Sequence, residues 1–308
     1  MDYLYLIIGF VILLSSGDLL VKGGVALSSH FKISTLVVGV TVISFGTSAP
    51  ELFVSLGAAL SGSPDIAIGN VVGSNVSNIA LVLGFTAILL PLPVKSNSLK
   101  FDWPVMMGAS LLFFAFAQNN LIETWEGIAF LILLVAFMVF TIMKSRGNKD
   151  EEFKKPKQSI FMALVLIVLA SIGLYFGADL LVGAAKNIAR GYGVGERVIG
   201  LTLVAFGTSV PELATSAVAA LKKEMDISVG NIIGSNIFNI LGVLGVTSVV
   251  KNIFVSDAVL NFDLIWMLAI SFLLFLLVLP LKRAKLHRWK GFVLILVYTT
   301  YVFFVFAQ

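Results

Sequence analysis

The sequence predicts an all-α polytopic membrane protein with ten transmembrane helices, arranged as two inverted five-helix repeats. Three observations carry this reading. Of 308 residues, 58% are hydrophobic and only 12% charged, with a mean hydropathy of +1.02, whereas a soluble domain carries about a quarter charged residues. Apolar runs long enough to cross a bilayer, roughly 20 residues each, recur along the whole chain. Long motifs of the first half also return in the second at one fixed offset. The composition excludes a soluble enzyme, a disulfide scaffold and a disordered tail protein. With no cysteine, there is no disulfide and no thiolate metal site.

The apolar segments fall at 3–29, 35–60, 66–91, 103–118, 125–143, 158–189, 197–221, 226–250, 258–279 and 291–307. The first carries Asp18 and Lys22. It is too long for a cleaved signal peptide, and its amino end is too poor in positive charge, so it reads as a retained helix. The largest polar connection, 144–157, holds six Lys/Arg. It divides a first five-helix repeat (1–143) from a second (158–308), with a basic loop between them. Loops around 30–34, 92–101, 144–157, 222–225 and 281–290 hold 16 of the 21 Lys/Arg, against Arg190, Arg197 and Lys251 in the opposite set. The positive-inside bias makes the first set cytoplasmic and both termini extracellular, in a multi-pass protein of the plasma membrane. The net charge of +4 is thereby spent on orientation. The expected partners are the lipid bilayer and small ions, with no nucleic acid and no obligatory protein partner.

The repeats are explicit. Gly39-Val-Thr-Val-Ile-Ser-Phe-Gly-Thr-Ser-Ala-Pro-Glu-Leu52 matches Gly200-Leu-Thr-Leu-Val-Ala-Phe-Gly-Thr-Ser-Val-Pro-Glu-Leu213 at nine of 14 positions. Gly69-Asn-Val-Val-Gly-Ser-Asn-Val-Ser-Asn78 matches Gly230-Asn-Ile-Ile-Gly-Ser-Asn-Ile-Phe-Asn239 at six of ten. Asp18-Leu-Leu-Val recurs as Asp179-Leu-Leu-Val, and every pair is 161 residues apart. An odd number of spans per repeat makes the second half enter the membrane from the opposite side, an architecture whose ion sites lie near the midplane between the halves.

Glu51 and Glu212 each stand in an otherwise neutral membrane segment. A charged side chain at the bilayer centre costs about 2.5–3.5 kcal/mol on the insertion scale, so intramembrane acids mark ion or proton pathways by default. A purely structural polar contact is the competing reading, and the symmetric placement weighs against it. Positions 44, 47, 48 and 51 share one helix face, occupied by Ser44, Thr47, Ser48 and Glu51. The partner face is Ala205, Thr208, Ser209 and Glu212. Pro50 and Pro211 lack the amide that would bond Gly46 and Gly207, so each helix should bend there and free carbonyls, tolerated in a membrane only inside protein or a wet cavity. Carboxylates, hydroxyls and carbonyls make an all-oxygen cage suited to hard cations such as calcium. Ser74 with Asn78 and Ser235 with Asn239, each at i, i+4, add polar lining on the next helices. Gly69, Gly73, Gly230 and Gly234 are expected to serve close packing. Asp18 can pair with Lys22 one turn later, which favours a structural role.

The paired Gly-Thr-Ser-x-Pro-Glu and Gly-Asn-x-x-Gly-Ser-Asn segments resemble the two alpha repeats of sodium/calcium exchangers, in the calcium/cation antiporter superfamily. The resemblance covers nearly the whole chain, which is similar in size to the minimal prokaryotic exchangers. It implies a core of the second, third, seventh and eighth helices, with the first and sixth sliding across it to alternate access. Glu51 and Glu212 match the glutamates that bind calcium and, in its absence, sodium. Thr47 and Thr208 match threonines that offer carbonyls to calcium. Ser44, Ser48, Ser74, Ala205, Ser209 and Ser235 match positions completing the flanking sodium sites, and Asn78 and Asn239 the two central amide or acid positions. Ser44 replaces an alanine of the archaeal pattern, a change that spares the backbone ligand. Some prokaryotic exchangers and the potassium-dependent branch carry aspartate where this chain has Asn239, which argues against potassium co-transport. The implied function is electrogenic antiport of calcium against sodium, with those ions as cargo and no cofactor. A proton-coupled calcium exchanger is the alternative, although the glutamate motif of that branch is absent. An intramembrane hydrolase is disfavoured because the only histidines, His30 and His287, fall in loops and no His-Glu-x-x-His occurs.

Overall fold

The computed structural model describes residues 1–95, 98–146, 156, 158–194, 205–280 and 284–307, apart from the side chains of Ala205 and Phe206. Helices dominate: α1 (Asp2–Phe31), α2 (Thr35–Thr47), α3 (Ala49–Leu60), α4 (Pro64–Leu89), α5 (Ser98–Asn119), α6 (Thr124–Arg146), α7 (Ile160–Gly191), α8 (Ala205–Thr208), α9 (Val210–Leu221), α10 (Met225–Val250), α11 (Val259–Val278) and α12 (Arg288–Ala307). Eight are long and apolar enough to cross a membrane, and the bent pair α2–α3 makes a ninth candidate span among the described residues. The tenth expected segment, 197–221, lies partly outside those residues; its described part is α8 and α9.

Local chemistry sets the helix ends. The Ser34 hydroxyl accepts from the Val37 amide at the start of α2, and Ser159 accepts from Met162 at the start of α7, each at 3.2 Å. Lys32 closes α1 in the left-handed conformation (φ 52°), its amide bonded to the Ser28 carbonyl. Pro64 opens α4, where its missing amide costs nothing. The hairpins α3–α4 and α9–α10 place Gly62 (φ 81°) and Lys223 (φ 65°) at corresponding corners, 161 residues apart. At one of them the chain uses a lysine where glycine would be strain-free.

Burial separates centre from rim. In α4 and α10, 78% and 89% of the apolar window is buried, against 22–39% in the other long spans. These two helices form the heart of the molecule, and the others present apolar side chains outward, as lipid contact requires. Helix α10 lies against α2 backbone to backbone. A Cβ on Gly230 would come to 2.7 Å from the Leu36 carbonyl oxygen, and one on Gly234 to 2.6 Å from the Val40 Cα. Their repeat counterparts Gly69 and Gly73 meet no described atom within 4 Å, so the expected close packing holds for the second pair alone. Helices α1 and α7 also pack through glycines, with Gly9 on Leu181, Gly177 on Leu13 and Gly23 on Ile167. The partners descend as the numbers rise, so the pair is antiparallel.

Two short antiparallel ladders join the halves. β1 (Leu92–Pro93) pairs with β4 (Lys285–Leu286), and β2 (Leu121–Ile122) pairs with β3 (Ile253–Phe254). The 161-residue offset also persists in three dimensions. Helix α9 repeats α3, α10 repeats α4, β3 repeats β1, and π-helical turns at Asn78–Leu83 and Ser98–Asp102 recur at Asn239–Leu244 and Val259–Asp263.

Candidate functional site

The breaks expected at the prolines occur two residues earlier. Ser48 (φ −91°, ψ 6°) separates α2 from α3 at a bend of 45°, and Ser209 (φ −89°, ψ 1°) separates α8 from α9. Pro50 and Pro211 sit at the start of the second segments, where proline is preorganised for helix, and their rings crowd the turn behind. The ladder resumes beyond each break, with the Leu52 amide donating to Ser48 at 3.3 Å and Leu213 to Ser209 at 3.0 Å. Glu51 and Glu212 follow in the first turn of α3 and α9, both fully buried.

Around them the repeats exchange side chains crosswise. The Thr47 hydroxyl lies 3.3 Å from that of Ser235, and Ser74 lies 3.2 Å from Thr208. Each pair joins a broken helix of one half to a central helix of the other. Ser48 donates to Glu212 Oε1 at 3.1 Å, and Ser235 reaches the same oxygen at 3.5 Å. Asn239 Nδ2 donates to Asn75 Oδ1 at 3.2 Å, bringing α10 and α4 together. The structure thus brings Glu212, Thr47, Ser48, Ser74, Ser235, Asn239 and the half-buried Thr208 together between the halves, with Glu51 within electrostatic reach of Glu212. The Ser44 hydroxyl is engaged elsewhere, within reach of the Gly39 (2.7 Å) and Asn231 (3.0 Å) carbonyls. Ala205 opens α8, and its side chain lies outside the described set.

Asn78 and Asn239 begin their π turns. Such a turn interrupts the i→i+4 ladder, and π-bulges gather at functional sites.

Unpartnered atoms identify what the region can do. Thirteen buried side-chain polar atoms lack a hydrogen bond among the described residues. Seven belong to the expected cage: both carboxylate oxygens of Glu51, Oε2 of Glu212, both amide atoms of Asn78, Oδ1 of Asn239 and the Ser209 hydroxyl. Buried polar groups left unmade each cost about 1–3 kcal/mol, more when charged. Six of these seven atoms are oxygens, a set whose chemistry suits a cation, and no lysine or arginine takes part in the hydrogen bonds around them.

Three buttressing residues escaped the sequence reading. Asn70 donates to Ser55 (2.9 Å) and to the Glu51 carbonyl (3.1 Å). Its counterpart Asn231 donates to Ser216 (3.0 Å) and takes the Thr47 hydroxyl at 3.1 Å. Asn75 is the partner of Asn239. The signal for Asn70 and Asn231 was present in the repeated Gly-Asn, one turn before Ser74 and Ser235, and that for Asn75 in the repeated Gly-Ser-Asn. Asp18 is paired with both Lys22 (2.6 Å) and Lys222, in keeping with a structural role.

Broken helices meeting at a buried oxygen cluster between symmetry-related halves define a polytopic membrane transport protein of the discontinuous-helix kind. Comparison with known proteins makes this specific. The family model described as "Sodium/calcium exchanger protein" matches residues 1–143 and 162–307. The chain is 30% identical over 346 residues to the sodium/calcium exchanger MaX1 of Methanosarcina acetivorans, covering 99% of this chain and 98% of that one. It is 36% identical over 297 residues to an uncharacterized membrane protein of Methanocaldococcus jannaschii, covering 96% and 94%. Among solved structures, the sodium-calcium exchanger NCX_Mj soaked with zero Na+ and Ca2+ superposes with a TM-score of 0.83 at 33% identity, covering 97% of each chain. The chain belongs to the sodium/calcium exchanger family.

Proposed function

We propose that the protein is a secondary-active antiporter that moves calcium out of the cell in exchange for sodium, by alternating access to the cage between the halves. The unpartnered, fully buried carboxylate of Glu51 beside the half-satisfied carboxylate of Glu212 carries this reading. Two buried negative charges need cations, and one calcium neutralises them. Glu51, Glu212, Thr47 and Thr208 form the calcium centre in this proposal. Ser44, Ser48, Ser74, Ala205, Ser209 and Ser235 complete flanking sodium positions, several through backbone carbonyls. Asn78 and Asn239 supply neutral amide oxygens. More than two sodium ions leave the cage net positive, so their exchange against one calcium is electrogenic.

The architecture proposed around the cage is ten spans in two inverted repeats (1–143 and 158–308) joined by a cytoplasmic loop, with both termini outside the plasma membrane. The antiparallel packing of α1 with α7 supports inversion. Two corresponding hairpins test it: Ser61→Cys should react with an impermeant thiol reagent only from outside, and Lys223→Cys only from inside. Reaction of both from one face would overturn the inverted arrangement.

The functional test is calcium uptake into proteoliposomes under an imposed sodium gradient, with membrane voltage clamped. Uptake should require internal sodium and respond to voltage. Uptake that persists when sodium is replaced by potassium, and follows a proton gradient instead, would overturn the reading in favour of proton coupling.

A further inference from the structure

A cavity of about 360 Å³ lies beside the cage, between α3, α4, α8, α11 and α12. Ser74 and Thr208, the hydroxyl pair that bridges the halves, form part of its wall. Away from that pair the cavity is lined by Asp263 near the start of α11 and by Tyr298 and Tyr301 of α12. The Tyr301 hydroxyl donates to Asp263 Oδ1 at 2.8 Å, and the Ser77 hydroxyl to Tyr298 at 3.4 Å. Polar groups therefore line the cavity at Asp263, at the two tyrosines and at the cage edge, and apolar side chains, Phe306 among them, complete the wall.

Asp263 sits within an apolar span and is only half-buried. Among the described residues only the Tyr301 hydroxyl donates to its carboxylate, and no lysine or arginine lines the cavity. The counterpart 161 residues earlier, Asp102, is 2% exposed and lies within electrostatic reach of the Lys144 ammonium. One acid of the pair is thus closed in beside a fixed cation. The other faces a cavity that reaches the Ser74–Thr208 edge of the cage, with no lysine or arginine among its described lining. An isolated membrane carboxylate is costly without a compensating charge.

We infer that Asp263 is an accessory cation site, occupied by one sodium ion on its way between the extracellular side and the Ser74–Thr208 edge of the cage. A carboxylate with phenolic and aliphatic hydroxyls is a hard-oxygen set that suits sodium. A single acid balances one positive charge and leaves a divalent ion uncompensated, which selects the monovalent cargo. The side assignment and the cargo rest on the antiporter reading above.

The test uses the full-length protein in proteoliposomes, with sodium titrated on the outer face at fixed voltage. Asp263→Asn keeps an acceptor for Tyr301 and removes the charge. It should raise the half-saturating sodium concentration about five-fold or more, the effect of losing roughly 1 kcal/mol of attraction. Half-saturation by calcium should stay within about two-fold on the same scale, and Asp263→Glu should restore the sodium dependence. As a second route on folded protein, Val302→Cys lies in the cavity wall of a chain without native cysteine. Its modification by a positively charged thiol reagent should weaken sodium activation, whereas a neutral reagent of equal size should not. Unchanged sodium dependence in Asp263→Asn, or an equal shift for both ions, would overturn the site. If the unmodified protein shows no sodium-driven calcium flux at all, the antiporter reading fails instead.

Discussion

The two halves of the site match closely in their cross-links and differ in how they treat their carboxylates. Hydroxyl pairs at 3.3 and 3.2 Å, and asparagine–serine buttresses at 3.0 and 2.9 Å, repeat almost without change. Glu212, however, receives two serine hydroxyls on one oxygen, while Glu51 receives none on either. Duplicated sequence fixes which donor types arrive at the centre. It does not fix where each hydroxyl hydrogen points, because Thr47 and Ser235 each have more than one partner within reach. The centre is therefore symmetric in composition and polarised in its hydrogen bonding, so the two acids should not behave alike.

The largest effect should come from the carboxylates themselves. Glu51→Gln and Glu212→Gln should each reduce sodium-driven calcium exchange by about a hundred-fold or more, the scale of one membrane charge at roughly 3 kcal/mol. Thermal unfolding in detergent separates them. Without sodium or calcium, Glu51→Gln should melt higher than Glu212→Gln, since Glu51 has no donors to lose and Glu212 has two. Both should lose the calcium-induced rise in melting temperature that a bound ion confers. Equal melting points in ion-free buffer would show that the polarisation is unimportant.

A smaller contrast concerns the buttresses. Asn231 is fully buried and holds Thr47 as well as Ser216, whereas Asn70 is partly exposed. Asn231→Ala should destabilise the protein by about 2–3 kcal/mol and Asn70→Ala by about 1 kcal/mol, according to how completely the partners they orphan are buried. Urea or thermal unfolding of the two variants gives the comparison directly, and a reversed order would refute it.

The smallest effect is expected at Ser44, whose counterpart in the second repeat is Ala205. Ser44→Ala removes a hydroxyl bound to the Gly39 and Asn231 carbonyls and makes the first half resemble Ala205. Stability should fall by about 1 kcal/mol, while exchange rates stay within about two-fold, since the proposed ligand at this position is a carbonyl. A large loss of transport would place the Ser44 hydroxyl among the ligands.

Much of this arrangement could be read from the chain because it depends on patterns with strict physical meaning. Glu51 and Glu212 stand out because charge is expensive in lipid, and Pro50 and Pro211 because a missing amide must interrupt a helix. Helical periodicity groups residues 44, 47, 48 and 51, although the chain breaks at Ser48 and turns the Ser44 hydroxyl to the Gly39 and Asn231 carbonyls. The π turns beginning at Asn78 and Asn239 have no such local signature. An inserted residue in a helical ladder is stabilised by what packs around it. Asp102 and Asp263 went unremarked because each lies near a predicted helix boundary, where an acid looks solvated. Only packing shows one beside Lys144 and the other beside a cavity.

The two small β ladders have a mechanical consequence. β1 leaves the end of α4 and is hydrogen-bonded to the strand that leads into α12, while β3 leaves α10 and is bonded to the strand that leads into α6. Each clasp thus belongs to both halves. A motion that swung one half as a rigid body against the other would tear both open, at opposite ends of the molecule. The freedom that remains belongs to elements outside the clasps, chiefly the long α1–α7 hairpin-like pair, seated on its glycines and on an apolar cluster of its own. In the proposed transport cycle the strapped portion would serve as the stator, with the glycine-faced pair travelling across it.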